Sequence, residues 1–198
     1  MWLLATGYDI NVPKKYPAVY KHLLKYEEQA KKRDDQGTNW WNLRACAYYN
    51  EFEKEKIVWA RLMRVHKSED TSFPRFGLAP VNSYVVDSLC FIVGKNIKYF
   101  AAVLNSKYGE KYFRENIAIL DNGGMQMRQQ YVELIKIPKI TSENKPLVSE
   151  IESLVTSILS KKEKKQNTLT EEKQIDKLVY ELYELTDEEI RIVEGGKD

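Results

Sequence analysis

Between Pro146 and a lysine-rich break, the apolar residues Leu147, Val148, Ile151, Leu154, Val155, Ile158 and Leu159 recur at i, i+1, i+4, i+7, i+8, i+11 and i+12. A strand would send alternate side chains to opposite faces, so this spacing is compatible only with a helix carrying one apolar stripe. Such a stripe must be covered, and it is expected to face a partner, with the arm serving for docking. The segment KKEKKQNTLT interrupts it. Thr168 with Glu171 then predicts a capping box, and Ile175, Leu178, Val179, Leu182 and Tyr183 form a second stripe. Residues 141–198 are therefore expected to form a helical hairpin arm. Thr186 with Glu189 predicts one more capped turn, and Gly195 and Gly196 close it.

The body preceding the arm has a different texture. It opens on WLLATGYDI, an apolar run placed directly after Met1 without a polar lead-in, which reads as a cut inside a longer protein. Pro17 suits a first helical turn, and Val19, Tyr20, Leu23, Leu24 and Ala30 predict an amphipathic helix over about 17–33. Asp34, Asp35 and Gly37 end it before Trp40 and Trp41. The runs KIVWARLM (56–63), NSYVV (82–86) and LCFIV (89–93) read as strands, punctuated by Pro74, Gly77, Pro80 and Gly94. A small mixed or antiparallel sheet is expected, with a long loop over 64–80. Ile97, Phe100, Ala101, Leu104, Tyr108 and Tyr112 predict a helix over 96–113, and Gly123 with Gly124 predicts a turn. The expected fold is α+β: a body over 1–140 with a small sheet and flanking helices, and the arm over 141–198.

Composition narrows the function classes. The chain has 198 residues, 43% of them hydrophobic, enough to bury a core, so disorder is excluded. No run approaches the roughly 18 apolar residues of a membrane span, and the start lacks the parts of a signal peptide, so a cytoplasmic chain is expected. Cys46 and Cys90 with His22 and His66 offer no metal-ligand spacing. His22, between Tyr20 and Leu23, reads as a helix-face residue. Glycine-rich phosphate loops, a Gly-x-Ser-x-Gly elbow and His-Glu-x-x-His do not occur. Glu143, Glu163 and Glu171 each precede a lysine by two residues, as in metal nucleases, but they lie in a linker or on charged helices.

The net charge of +2 conceals opposite halves. Residues 1–140 hold 22 Lys and Arg against 15 Asp and Glu, whereas 141–198 hold 9 against 14. Within the basic part, Arg44, Lys54, Lys56, Arg61, Arg64, Lys67 and Arg75 alternate with Trp40, Trp41, Tyr48, Tyr49 and Trp59. Cations interleaved with flat rings suit a polyanion, and arginine forks suit phosphates and guanine edges. Core packing accounts for tryptophans, and a solvated face for cations, equally simply.

The string YPAVYKHLLKYEEQAKKRDDQGTNWWNLR, then LNSK at 104–107, IPKI at 137–140 and QIDKLVYELYELTDEEI resembles the TaqI-like C-terminal specificity domain. That family is the target-recognition module of type IIG restriction-modification enzymes and adenine-specific DNA methyltransferases, similar to half of a type I specificity subunit. The resemblance implies a partner, double-stranded DNA read in the major groove, and a methyltransferase domain lying N-terminal in the parent chain. It implies no cofactor in this segment, with S-adenosylmethionine bound by that parent domain, and no catalytic residue or membrane role here. Trp40, Trp41, Arg44 and Lys56 are the motif positions expected near DNA, with Arg61, Arg64, Arg75 and Arg128 beside them. After KIVW the family pattern continues with a proline and an acid, whereas this chain has Ala60, Arg61, Leu62 and Met63. Two other readings use the same residues: a hidden nuclease or transferase site involving Glu53 or Glu55, or a protein-interaction module acting through the helical hairpin.

Overall fold

The computed structural model describes residues 6–7, 10–34, 36–44, 46–64, 73–121 and 123–196. The chain divides into two compact units, Met1–Glu53 and Lys54–Asp198. The boundary expected near 140 thus falls inside the second unit, and the run MWLLA lies outside the described residues.

In the first unit, α1 (Val12–Lys15) leads into α2 (Pro17–Leu23), a 3-10 turn (Leu24–Tyr26) and α3 (Glu27–Lys31). The helix expected over 17–33 is therefore one helical run tightened at its middle. Neither α2 nor α3 has a fully buried residue. Rings and a polar clip hold the unit together instead. Tyr20 lies 5.8 Å from Trp40 and 5.4 Å from Trp41 between ring centroids. The Arg33 guanidinium donates to the carbonyls of Ala30 (3.0 Å), Trp40 (2.7 Å) and Asn42 (2.9 Å), tying the helix end to the tryptophan loop. Asn42, completely buried, accepts from the Asn39 N–H at 2.9 Å and donates to the Gly7 carbonyl at 2.9 Å. Arg33→Ala leaves carbonyls without their donor and is expected to cost about 2 kcal/mol. Denaturant unfolding followed by tryptophan fluorescence checks this, and an unchanged midpoint contradicts it.

The second unit contains β1 (Lys56–Ala60), β2 (Leu62–Arg64), β3 (Gly77–Ala79), β4 (Leu89–Val93), α4 (Ile97–Asn105), α5 (Lys107–Asn116), β5 (Gly124–Gln126), α6 (Gln129–Val132), α7 (Lys145–Glu163), α8 (Leu169–Leu182) and α9 (Asp187–Val193). It is an α+β arrangement of small antiparallel sheets flanked by helices. One sheet has the order β3-β1-β4, with Ile57 opposite Leu78 on one side and Ile92 on the other. A second, two-stranded sheet pairs β2 with β5. Ile57, Trp59, Met63, Phe76, Phe113, Met125 and Met127 form the core beneath both.

Several expectations need correction. KIVWARLM is not one strand: at Arg61 the chain leaves β1 and pairs with β5, so its two halves join different sheets. NSYVV is not a strand, because β3 and β4 already occupy both edges of β1, and Asn82 turns the chain with φ 59°. Conversely, Gly77–Ala79 lies inside the predicted loop yet is a strand, recruited by pairing with β1 rather than by its own propensity. Residues 65–72 of that loop, including Lys67, lie outside the described residues. Gly123, with φ 74°, makes the turn, while Gly124 already belongs to β5.

The helix predicted over 96–113 breaks at Ser106 for a visible reason. The Ser106 hydroxyl donates to the Val103 carbonyl (2.8 Å) and accepts from the Gly109 N–H (3.2 Å), ending α4 and capping α5. Asn105 donates to the carbonyls of Phe76 (2.9 Å) and Ala101 (2.8 Å) and accepts from the Phe76 N–H (2.9 Å). A Cβ on Gly109 would stand 2.5 Å from the Val103 carbonyl oxygen, so the packed corner leaves no room for a side chain. LNSK is thus a corner that joins α4, α5 and the segment leading into β3.

The stripe on α7, expected to face a partner, is covered within the chain by α4. Val148, Ile151 and Val155 pack with Tyr99, Ala102 and Val103, and α8 adds Ile175, Leu178 and Val179. Ile97, Ala101 and Leu104 face the sheet core, so α4 is buried between two cores. The Tyr99 hydroxyl donates to the Pro138 carbonyl at 3.0 Å, and burial pushes its pKa up to about 12. Tyr183 donates to the Lys136 carbonyl at 2.8 Å, fastening the IPKI segment from the other helix. Thr186 and Glu189 form the expected capping box. Thr168 does not: its hydroxyl donates to Glu172 at 2.7 Å, and Asn167 accepts the Leu169 N–H instead. Lys161 and Lys162 pair with Glu171 and Glu172 across the turn between α7 and α8.

Candidate nucleic-acid interface

The sequence-derived cations separate into buried, paired and exposed groups. Lys56 opens β1 with no exposed surface, its ammonium 3.4 Å from both the Pro80 carbonyl oxygen and the Ser83 hydroxyl oxygen. Burial pulls its pKa below the ordinary lysine value. An ammonium held this way stabilises the turn after β3 and does not reach a ligand outside. Arg61 is exposed and bonds Asp87 at 3.1 Å, an interaction that raises its pKa. Arg75 and Arg128 are also exposed.

Strand register brings two of these residues to one place. In the β2–β5 ladder Leu62 faces Gln126, Met63 faces Met125 and Arg64 faces Gly124. Arg61 precedes the first pair and Arg128 follows it by two residues, so both stand at the same end of a two-stranded ribbon. Arg64 occupies the other end by register. Met63 and Met125 are buried, at 1% and 0% exposure, whereas Leu62 is 45% exposed. The period of two therefore places Leu62 and Gln126 on the outer face, with Gln129 and Gln130 exposed just beyond Arg128. These glutamines are absent from the sequence-based candidates. Their signal was the string MQMRQQ, which carries no charge pattern beyond one arginine.

The first unit holds the remaining candidates. Trp40 and Trp41 are half-buried, their centroids 5.5 Å apart, and are engaged with Tyr20. They serve chiefly as the packing surface of α2. Arg44 is exposed beyond them, its carbonyl accepting the Tyr49 hydroxyl at 3.1 Å. His22 is exposed, its ring 5.7 Å from that of Tyr26. Among the described residues, no group of His, Cys, Asp and Glu side chains is arranged to hold a metal ion, and no helix is long and apolar enough to cross a membrane.

No model of a known protein family matches the chain, and no curated protein matches it.

Proposed function

We propose that this chain is the DNA-recognition domain of a cytoplasmic restriction-modification adenine methyltransferase, reading duplex DNA in the major groove for a separate N-terminal catalytic domain that binds S-adenosylmethionine. The observation that carries the reading is the β2–β5 ribbon, with Arg61 and Arg128 gathered at one end and Gln126 on its outer face. A major groove admits a two-stranded ribbon, arginine forks bond guanine edges, and glutamine bonds adenine. The ordered motifs around WWNLR, LNSK, IPKI and the closing helix supply the narrower assignment. They act in this molecule as packing corners, which explains how a family pattern can be recognisable while the reading positions vary. Chemistry belongs to the parent's other domain in this view, and the segment is non-catalytic.

Fluorescence anisotropy with duplex and single-stranded oligonucleotides at several salt concentrations tests the proposal. Duplex-preferring binding is expected, with log affinity falling linearly in log salt. Arg128→Ala is expected to weaken binding to a selected site by about 1–3 kcal/mol. Lys56→Met, which alters a buried ammonium, is expected to leave affinity within about twofold once the folded fraction is accounted for. Equal binding of single strands, or a Lys56 effect larger than that of Arg128, contradicts the ribbon as reader.

A further inference from the structure

A further positive surface lies on the helical run of the first unit. Residues 11–33 carry seven Lys and Arg against two Glu. Lys21, Lys25 and Lys32 follow one another along this run, in α2, in the 3-10 turn and directly after α3. At 1.5 Å per residue, the stretch from Lys21 to Lys32 is about 16 Å long. All three are exposed, and among the described residues none is in an ion pair, whereas Lys31 is paired with Glu27 at 2.6 Å.

Like charges one helical turn apart repel, so Lys21 and Lys25 disfavour each other. One side of the run is fixed by Tyr20 against Trp40 and Trp41, and the end by the Arg33 clip. The anchored helical run thereby presents these cations outward. Tyr16 and Tyr26, 53% and 51% exposed, flank it with flat rings carrying hydroxyls. Leu24, at 42%, is an isolated exposed aliphatic on α2 and the turn that follows, too little apolar surface for a helix lying in a lipid interface.

We propose that this surface grips the phosphate backbone of duplex DNA, supplying affinity without regard to sequence. The inference rests on the DNA-binding reading above and assigns a contact surface to the unit that the ribbon does not use. Duplex DNA rises about 3.4 Å per base step on each strand, so the stretch spans about five steps.

The test compares the full chain with its Lys21→Gln, Lys25→Gln, Lys32→Gln triple variant on random and selected duplexes between 50 and 200 mM salt. Each lost phosphate contact is expected to reduce the salt slope by about 0.9, so the unmodified chain loses about forty-fold more affinity than the variant across that range. Preference between the two duplexes is expected to stay the same. The substituted side chains are exposed, and an unchanged thermal midpoint verifies that the variant folds. A variant that keeps the parental salt slope overturns this inference alone. An unmodified chain that binds no duplex at any salt overturns it together with the recognition reading. Loss of binding to phosphatidylserine vesicles, with the DNA slope retained, assigns the cations to a membrane surface and overturns it as well.

Discussion

Ending the chain at Ile140 is expected to leave the second unit unable to fold as a soluble monomer. The cut removes Val148, Ile151, Val155, Ile175, Leu178, Val179 and Leu182 from one continuous cluster. Each buried aliphatic side chain contributes about 1.5–3 kcal/mol, so the seven together match or exceed the roughly 5–15 kcal/mol by which a domain is stable. The cut also uncovers Tyr99, Ala102 and Val103, now at 0%, 4% and 0% exposure, on a helix whose other side is needed by the sheet core. An apolar face of that kind drives aggregation. Size-exclusion chromatography and thermal unfolding of the 1–140 chain check this. A monomeric fragment that melts cooperatively near the full-length midpoint would sink the claim that α7 and α8 are integral. The single substitution Ile151→Ala grades the same effect, with an expected loss of about 2–5 kcal/mol.

Legibility in the sequence followed the range of the interactions concerned. The α7 and α8 stripes and the Thr186 cap were readable because helical periodicity and capping are local, and the LCFIV strand because its residues favour a pleated surface. Gly77–Ala79 was not, because its strand state comes from backbone pairing with β1, fixed by contacts distant in sequence. The break at Ser106 was hidden by an unbroken apolar pattern across it. What ends the helix is a hydroxyl taking over backbone groups, which hydrophobic spacing does not register. Among the candidate cations, residue type showed charge but not burial. Lys56 and Arg61 look equivalent in KIVWAR, yet the turn after β3, through Pro80 and Ser83, covers Lys56 on the face opposite Ile57 and Trp59, while the departure from the sheet leaves Arg61 outside. The cations between residues 14 and 33 are visible in the sequence as charge alone, and the packing of Tyr20 shows which side of the run is covered.

Trp59→Ala is expected to destabilise the second unit by about 3–5 kcal/mol, and Trp59→Phe by about 1–3 kcal/mol. The indole is 2% exposed, packs 5.4 Å from Phe76, and donates its N–H to the Met127 carbonyl at 2.6 Å. Alanine leaves a cavity in the core, whereas phenylalanine fills most of the space and leaves the Met127 carbonyl without its donor. That bond reaches from β1 to the residue directly before Arg128, so it also fixes where the chain emerges with the arginine that the ribbon reading uses. A frame role and a reading role then separate cleanly. Trp59→Phe should lower the unfolding midpoint and weaken selected and random duplexes alike, because a displaced ribbon loses its whole approach. Arg128→Ala should leave the midpoint within about 0.5 kcal/mol, as for other exposed substitutions, and weaken the selected duplex more than the random one. Chemical denaturation paired with anisotropy on both variants distinguishes the two. If Trp59→Phe kept its stability, the 2.6 Å bond would not be what holds Met127, and the position of Arg128 would have to be set by the buried methionine side chain alone.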